Sequence, residues 1–407
     1  MSGLTELPYS DLNIDVGGRR LVGQTTVREQ LAKILSSGRL SHAYLFAGPA
    51  GVGKKALALA FAEAVNGLDN LSDLQGRAFS KKSSWSNHPD IRIFLPLPGS
   101  DPDFGELSAR SELLSEDPYE VVDFNNRPSL TSETASGNRN AFYSISYFRN
   151  EIRPSAYLKP NEGYRNIIII SEVERFRTES SNAFLKLLEE PPPNLMFILT
   201  TENANALLPT ITSRCQIIRC APLSKDEIQS GLMQRDGVNE QDASFLSRIS
   251  GGNYSMTRFY DVERLQTSRN EVLQYLRASY SMDAAKIVSY SMSWNKELNT
   301  EGQISILNLL EVFIRDLAVY RDTQTADFLT NVDQLTVISK FCESLQNARL
   351  DAMQELIDPY RAMLRQSVSP RLVFTVLANR MAYLMRGKDT PLPESETWRH
   401  APAYDFH

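Results

Sequence analysis

The stretch "LFAGPAGVGKKALALAF", residues 45–61, decides the fold. A short apolar run over 42–48 ends in Gly48. Gly51, Gly53 and Lys54 follow, then an Ala- and Leu-rich segment stopped by Asn66-Gly67. The order is buried strand, glycine loop, helix. This is the setting in which backbone N–H groups cradle phosphate oxygens. Glycines permit the close approach, and the lysine meets phosphate charge. The next residue in such a loop carries a hydroxyl that ligates Mg²⁺. Here it is Lys55, whose ammonium has three donors and no acceptor. The plainer alternative is a glycine turn with no ligand.

The second half of a phosphate site is an Asp at the end of a buried strand, where it holds the Mg²⁺ shell. "RNIIIISEVERF" (165–176) has four consecutive isoleucines, as a central strand buried on both faces requires. Ser171 and Glu172 follow them. The glutamate is present, but serine stands in place of the aspartate. Both Mg²⁺-handling positions are therefore altered, and efficient ATP hydrolysis by this chain is not expected. No cofactor is demanded. ATP or ADP bound without Mg²⁺-dependent turnover remains open.

Apolar spacing predicts a helix over 26–37 and strands over 90–97, 194–203 and 216–220. Residues 146–158 read as helix up to Pro154. Residues 178–193 open with a capping signal and stop at three prolines. Strand and helix alternate over 20–220, so the expected fold is α/β, a parallel sheet sandwiched by helices. Between 97 and 141 the character changes: nine acidic residues face three basic ones. That segment reads as an acidic, mobile, solvated insertion, with a regulatory or binding loop as the alternative. Beyond 224 no strand stands out. Short helices surround 250–253, and longer amphipathic helices fill 268–386. One spans 303–321, apolar at Ile304, Ile306, Leu309, Leu310, Phe313 and Leu317. The end, 387–407, is polar and Pro-rich, as a tail would be.

The 407 residues carry 43 basic and 49 acidic side chains, a net charge of −6. No global basic field attracts nucleic acid or a membrane surface. Three cysteines without a CxxC pattern read as reduced thiols, and four scattered histidines offer no metal site. The N-terminus lacks a signal pattern, and no apolar run approaches the ~18 residues of a spanning helix. The expectation is a cytoplasmic protein without membrane contact.

Three long motifs, "SHAYLFAGPAGVGK" (41–54), "SNAFLKLLEEPPPNLMFILTTEN" (181–203) and "PTITSRCQIIR" (209–219), resemble bacterial clamp-loader subunits of the AAA+ superfamily. These are the γ/τ and δ′ subunits of DNA polymerase III. "VGQ" (22–24) and "NHPDI" (87–91) fit the same pattern. The resemblance implies an AAA+ domain over 1–222, a small helical lid over 223–265, an all-α collar over 266–388 and a tail over 389–407. Lys55 and Ser171 resemble the degraded site common in δ′. In Ser213-Arg214-Cys215, Arg214 is then an arginine finger reaching a neighbour's ATP. Thr200 and Thr201 lie where the family has its first sensor, and are equally readable as ordinary β-branched strand residues. Arg258 is offset by one from the sensor arginine of the lid. Relatives often carry a zinc module, but 67–88 contains no cysteine, so no zinc is expected. The implied partners are γ/τ and δ subunits, with the sliding clamp and primer–template DNA met through the assembled complex. The alternatives are a catalytically active γ/τ-type subunit and a lone DNA-binding module. The negative charge disfavours the latter.

Overall fold

The computed structural model describes residues 16–17, 21–67, 88–99, 103–124, 127–131, 140–258, 260–366 and 368–390. Backbone contacts divide the chain between Tyr260 and Asp261. The first unit holds all seven strands: β1 (Ala43–Ala47), β2 (Ile91–Phe94), β3 (Leu97–Pro98), β4 (Ala141–Phe142), β5 (Asn166–Ile170), β6 (Leu195–Thr201) and β7 (Gln216–Arg219). Five form a parallel sheet in the order β2-β5-β6-β1-β7. β3 and β4 pair separately as a short antiparallel ribbon. Ile167, Ile168, Ile169 and Ile170 are all fully buried, as helix cover on both faces demands. Ile168 lies opposite Phe197, and Leu45 opposite Leu199. At the edge, β7 buries only Ile218.

The helices of this unit are α1 (Thr25–Ser36), α2 (Lys54–Val65), α3 (Phe104–Glu116), α4 (Ile145–Tyr147), α5 (Arg153–Ala156), α6 (Thr178–Glu189), α7 (Pro209–Thr212), α8 (Lys225–Gln234), α9 (Glu240–Ile249) and α10 (Tyr254–Thr257). α2 is buried along almost its whole length. It ends at Asn66, and Gly67 takes the left-handed backbone that closes a helix. The expected helix does not stop at Pro154. A π-helical stretch, Phe148–Ile152, links α4 to α5, and Pro154 sits in the first turn of α5, where a missing N–H is tolerated. The expected cap on α6 is also corrected. Its N-cap is Arg177, with no side-chain bond. The hydroxyl of Ser180 instead donates to the carbonyls of Tyr143 and Arg177, at 2.7 and 2.9 Å.

The reading of 97–141 as a solvated excursion fails for the described part. α3 is a 13-residue helix capped by Asp103, whose carboxylate accepts the Gly105 N–H at 2.9 Å. Its anchor is a buried ion pair one turn apart, Glu106 with Arg110, at 3.1 Å. Arg110 also donates to the carbonyls of Val122 and Arg127, at 2.6 and 2.7 Å, and lies 3.5 Å over the Phe124 ring. Glu106 accepts the N–H groups of Leu130 and Thr131 and the hydroxyls of Ser129 and Thr131. Charge that reads as surface charge is here the centre of a satisfied internal network. The cysteine-free stretch expected to lack zinc lies almost wholly outside the described residues.

The second unit contains α11 (Val262–Ser281), α12 (Ala284–Glu297), α13 (Thr300–Thr323), α14 (Leu335–Ser344), α15 (Leu350–Glu355), α16 (Ile357–Arg365) and α17 (Pro370–Met385). Asp261 caps α11, accepting from Glu263 and Arg264 N–H, so these helices begin slightly before residue 266. Trp294, Tyr275, Phe374, Phe313 and Met381 lie in one core. The expected apolar positions of α13 are buried, Leu309 only partly. Among the described residues no helix is long and apolar enough to cross a membrane.

Candidate functional site

The glycine loop joins the end of β1 to the start of α2. A Cβ on Gly48 would collide with the Cys220 carbonyl oxygen at the end of β7, so only glycine fits that contact. Gly51 and Gly53 have φ of 68° and 92°, the left-handed backbone that glycine adopts without strain. Lys54 is 7% exposed. Its ammonium donates to the carbonyls of Gly48 and Pro49, at 2.8 and 2.5 Å, and burial pushes its pKa down. The expected strand, loop and helix are therefore in place, with the lysine turned onto its own loop.

The residues expected on the metal-handling side gather at the end of β5. Ser171 is fully buried at the end of β5, and its oxygen accepts from the Thr200 hydroxyl at 3.4 Å. Thr200 in turn accepts the Glu172 N–H at 3.1 Å. Thr201 is spent on the backbone: its hydroxyl oxygen accepts the Asn203 N–H, and its carbonyl accepts the Gly48 N–H. Glu172 has φ 54°, unusual for a residue with a side chain. Burial raises its pKa, while the charges of Lys55 and Arg175 oppose that rise. Arg175 lies 3.5 Å from its carboxylate. Lys55 offers no oxygen to a cation, and the Ser171 oxygen already accepts from Thr200, so the end of β5 presents one carboxylate, Glu172, flanked by two cations. Among the described residues no three His, Cys, Asp or Glu side chains gather as a metal site.

Four residues that sequence reasoning did not single out line the same cleft. From the start of α10, Asn253 packs its side-chain amide against Gly51, and the Ser255 N–H donates to the Gly51 carbonyl at 3.2 Å. From the segment after α3, Tyr119 lies across Gly53, and Asp117 pairs with two lid arginines, Arg235 and Arg258. Arg258 also pairs with Asp236 at 3.0 Å. The only sequence signal was a small apolar cluster, Tyr119, Val121, Val122 and Phe124, within acidic surroundings.

Arg214 lies in the turn between α7 and β7. It is about one-third exposed and held by surface partners: the Thr210 carbonyl at 2.8 Å and the Glu189 carboxylate at 2.8 Å. Ser213 closes the same turn, its hydroxyl donating to the Thr210 carbonyl at 3.3 Å. Cys215 packs against the sheet core, and burial pushes its thiol up to about 12, which makes it a packing group and not a nucleophile. The structure thus places Lys54, Lys55, Ser171, Glu172, Thr200 and Thr201 around the loop, with Arg214 on a separate surface turn.

Two family models match the chain. One, described as DNA polymerase III, delta subunit, covers residues 23–224. The other, described as DNA polymerase III, delta subunit, C terminal, covers residues 263–381. The chain is 23% identical over 346 residues to DNA polymerase III subunit delta′ of Bacillus subtilis, spanning 84% of this chain and 89% of that one. It is 27% identical over 234 residues to DNA polymerase III subunit gamma of Buchnera aphidicola, spanning 57% of this chain and 53% of that one. The chain thus spans about half the length of that γ relative. Among solved structures, a DNA polymerase III γ-subunit-related protein of Thermotoga maritima aligns with 15% identity and a TM-score of 0.38. That alignment covers 88% of this chain and 99% of that one.

Proposed function

Because the chain belongs to the DNA polymerase III clamp-loader family of δ′/γ/τ type, we propose that it acts as a δ′-type subunit. In this reading it does not turn over ATP itself. It joins γ/τ and δ subunits in the assembly that loads the sliding clamp onto primed DNA, and the C-terminal helices form its share of the collar. One observation carries the reading: Lys55 offers no oxygen where the loop hydroxyl would ligate Mg²⁺, and Ser171 offers no carboxylate where the aspartate would hold its shell, while Arg214 stays on the surface.

Arg214 supplies the chemistry. A guanidinium is planar, always charged and rich in donors, so it suits the equatorial oxygens of a transferring phosphoryl group. Such fingers contribute ~10³–10⁵ in rate where they act. The pair with Glu189 is partly exposed on both sides, so exchanging it for phosphate oxygens costs at most about 1 kcal/mol.

The test is reconstitution with γ/τ and δ subunits, the clamp and primed DNA. Arg214→Ala is expected to lower the DNA- and clamp-stimulated ATPase rate while Lys54→Ala leaves it intact. An unchanged rate in Arg214→Ala refutes the finger. Steady-state turnover by the isolated chain, abolished by Lys54→Ala, would establish a γ/τ-type motor instead.

A further inference from the structure

We propose that the segment following α3 is the resident occupant of the nucleotide cleft, with Tyr119 standing in for a base and Asp117 for an anionic group. Tyr119 is only 2% exposed. Its phenol oxygen accepts the Val22 N–H at 2.7 Å and lies 3.5 Å from the Val22 carbonyl. A planar ring with a donor and an acceptor at one edge, both met by one backbone residue, is what a nucleobase also presents. The ring stands edge-on to Tyr254 of α10, with centroids 4.9 Å apart, and Arg235, just past the end of α8, lies 4.9 Å above it. On the other side is the phosphate loop: a Cβ added to Gly53 would come within 2.9 Å of Cε1 of Tyr119. The ring therefore fills the space between the loop, the Val22 backbone and the lid.

Asp117 completes the substitution. Its carboxylate takes charge-assisted bonds from both Arg235 and Arg258, and it also accepts the Tyr119 N–H at 2.9 Å. Two lid guanidiniums converging on one anion is an arrangement otherwise suited to a phosphate. Here the anion is covalently part of the chain. Its neighbours Val122, Asp123 and Phe124 line a small cavity with Glu172 and Arg175, so the same segment covers the glutamate of the degraded site. The Glu106–Arg110 network fixes α3 and thereby delivers Asp117 and Tyr119.

This inference rests on reading the glycine loop as a nucleotide cleft, and it is independent of the Arg214 finger. The experiment is equilibrium dialysis of ATP against the full-length protein, with and without Mg²⁺. Wild type is expected to show no saturable binding up to about 1 mM, and the Asp117→Ala/Tyr119→Ala double variant to bind at least about tenfold more tightly. Saturable binding by wild type overturns the proposal. So does a double variant with wild-type circular dichroism and no gain. Tyr119→Phe serves as a second arm, because it keeps the ring and removes only the hydroxyl. Hydrogen exchange at the Val22 amide is expected to accelerate about tenfold in this variant, while the cleft stays closed to ATP. An unchanged Val22 exchange rate would remove the proposed contact. A failure here with a fallen ATPase in the Arg214→Ala complex would discard the plug and keep the subunit assignment.

Discussion

Replacing Glu106 by Gln keeps the shape of the side chain and removes its charge. In the native network one carboxylate oxygen faces Arg110, at 3.2 and 3.1 Å from Nε and Nη2. The other faces the N–H groups of Leu130 and Thr131 and the Thr131 hydroxyl, at 2.9, 3.1 and 2.7 Å. An amide must turn its NH₂ toward one set of donors, so it satisfies only half of them. It also deprives Arg110, fully buried, of its directly paired carboxylate. Breaking one partner of such a buried pair costs about 3–5 kcal/mol. None of these bonds reaches the central sheet, so the loss is expected as local opening of α3. Taking about 3 kcal/mol, the opening constant rises roughly a hundredfold. Native-state hydrogen exchange reads this directly: α3 amides lose protection while those of β5 and β6 keep it. Acid gives a matching curve. Burial opposes the Glu106 charge, but the hydroxyl and N–H donors hold its pKa at about 2. A carboxylate depressed in the folded state stabilises fully above its unfolded value of about 4.5, and that stability fades as pH falls toward 2. Wild-type α3 should therefore lose protection across that window, and Glu106→Gln should stay flat. Equal α3 protection in the two proteins at neutral pH would refute the reasoning.

Three further outcomes follow from particular contacts. Gly48→Ala drives a methyl into the Cys220 carbonyl and should cost about 1–3 kcal/mol in urea denaturation, with β7 amides losing protection first. Glu189→Ala breaks only an exposed pair and should change stability by less than about 0.5 kcal/mol, even though it frees Arg214. Asp316 of α13 is fully buried and accepts the N–H groups of Thr330 and Asn331 and the Asn331 side-chain amide. Asp316→Asn should destabilise the C-terminal helices by about 3 kcal/mol, seen as a lower denaturation midpoint of that unit.

The sheet was legible because burial on both faces leaves a mark in one dimension. A run such as Ile167–Ile170 has few other uses, and a glycine loop between an apolar strand and an Ala-rich helix has fewer. Lys55 and Ser171 could be placed for the same reason: they sit at fixed offsets from those elements. α3 was not, because its core is an ion pair. Glu106 and Arg110, one turn apart, read as solvated charge until Val122, Arg127, Leu130 and Thr131 converge on them from sequence positions 12 to 25 residues away. The partners of Arg258 were hidden likewise, since Asp117 lies far upstream of it. Caps mislead at short range: α6 has no side-chain cap, and the Ser180 hydroxyl inside it donates to the carbonyls of Tyr143 and Arg177.

The bonds from Asp117 to Arg235 and Arg258 tie the lid helices to the sheet domain within a single chain. A lid positioned by a diffusible ligand adopts its closed shape only in proportion to the occupancy of that ligand. A lid positioned by its own polypeptide has settled that matter during folding. The entropy of ordering is then spent before any partner arrives, and association begins from a preorganised surface. On the proposed plug and the proposed δ′ role, such a component would present neighbouring subunits with the same shape when ATP is scarce as when it is plentiful. In the proposed δ′ role, within an assembly whose other members cycle, that constancy would be a fixed point against which their movement is referred.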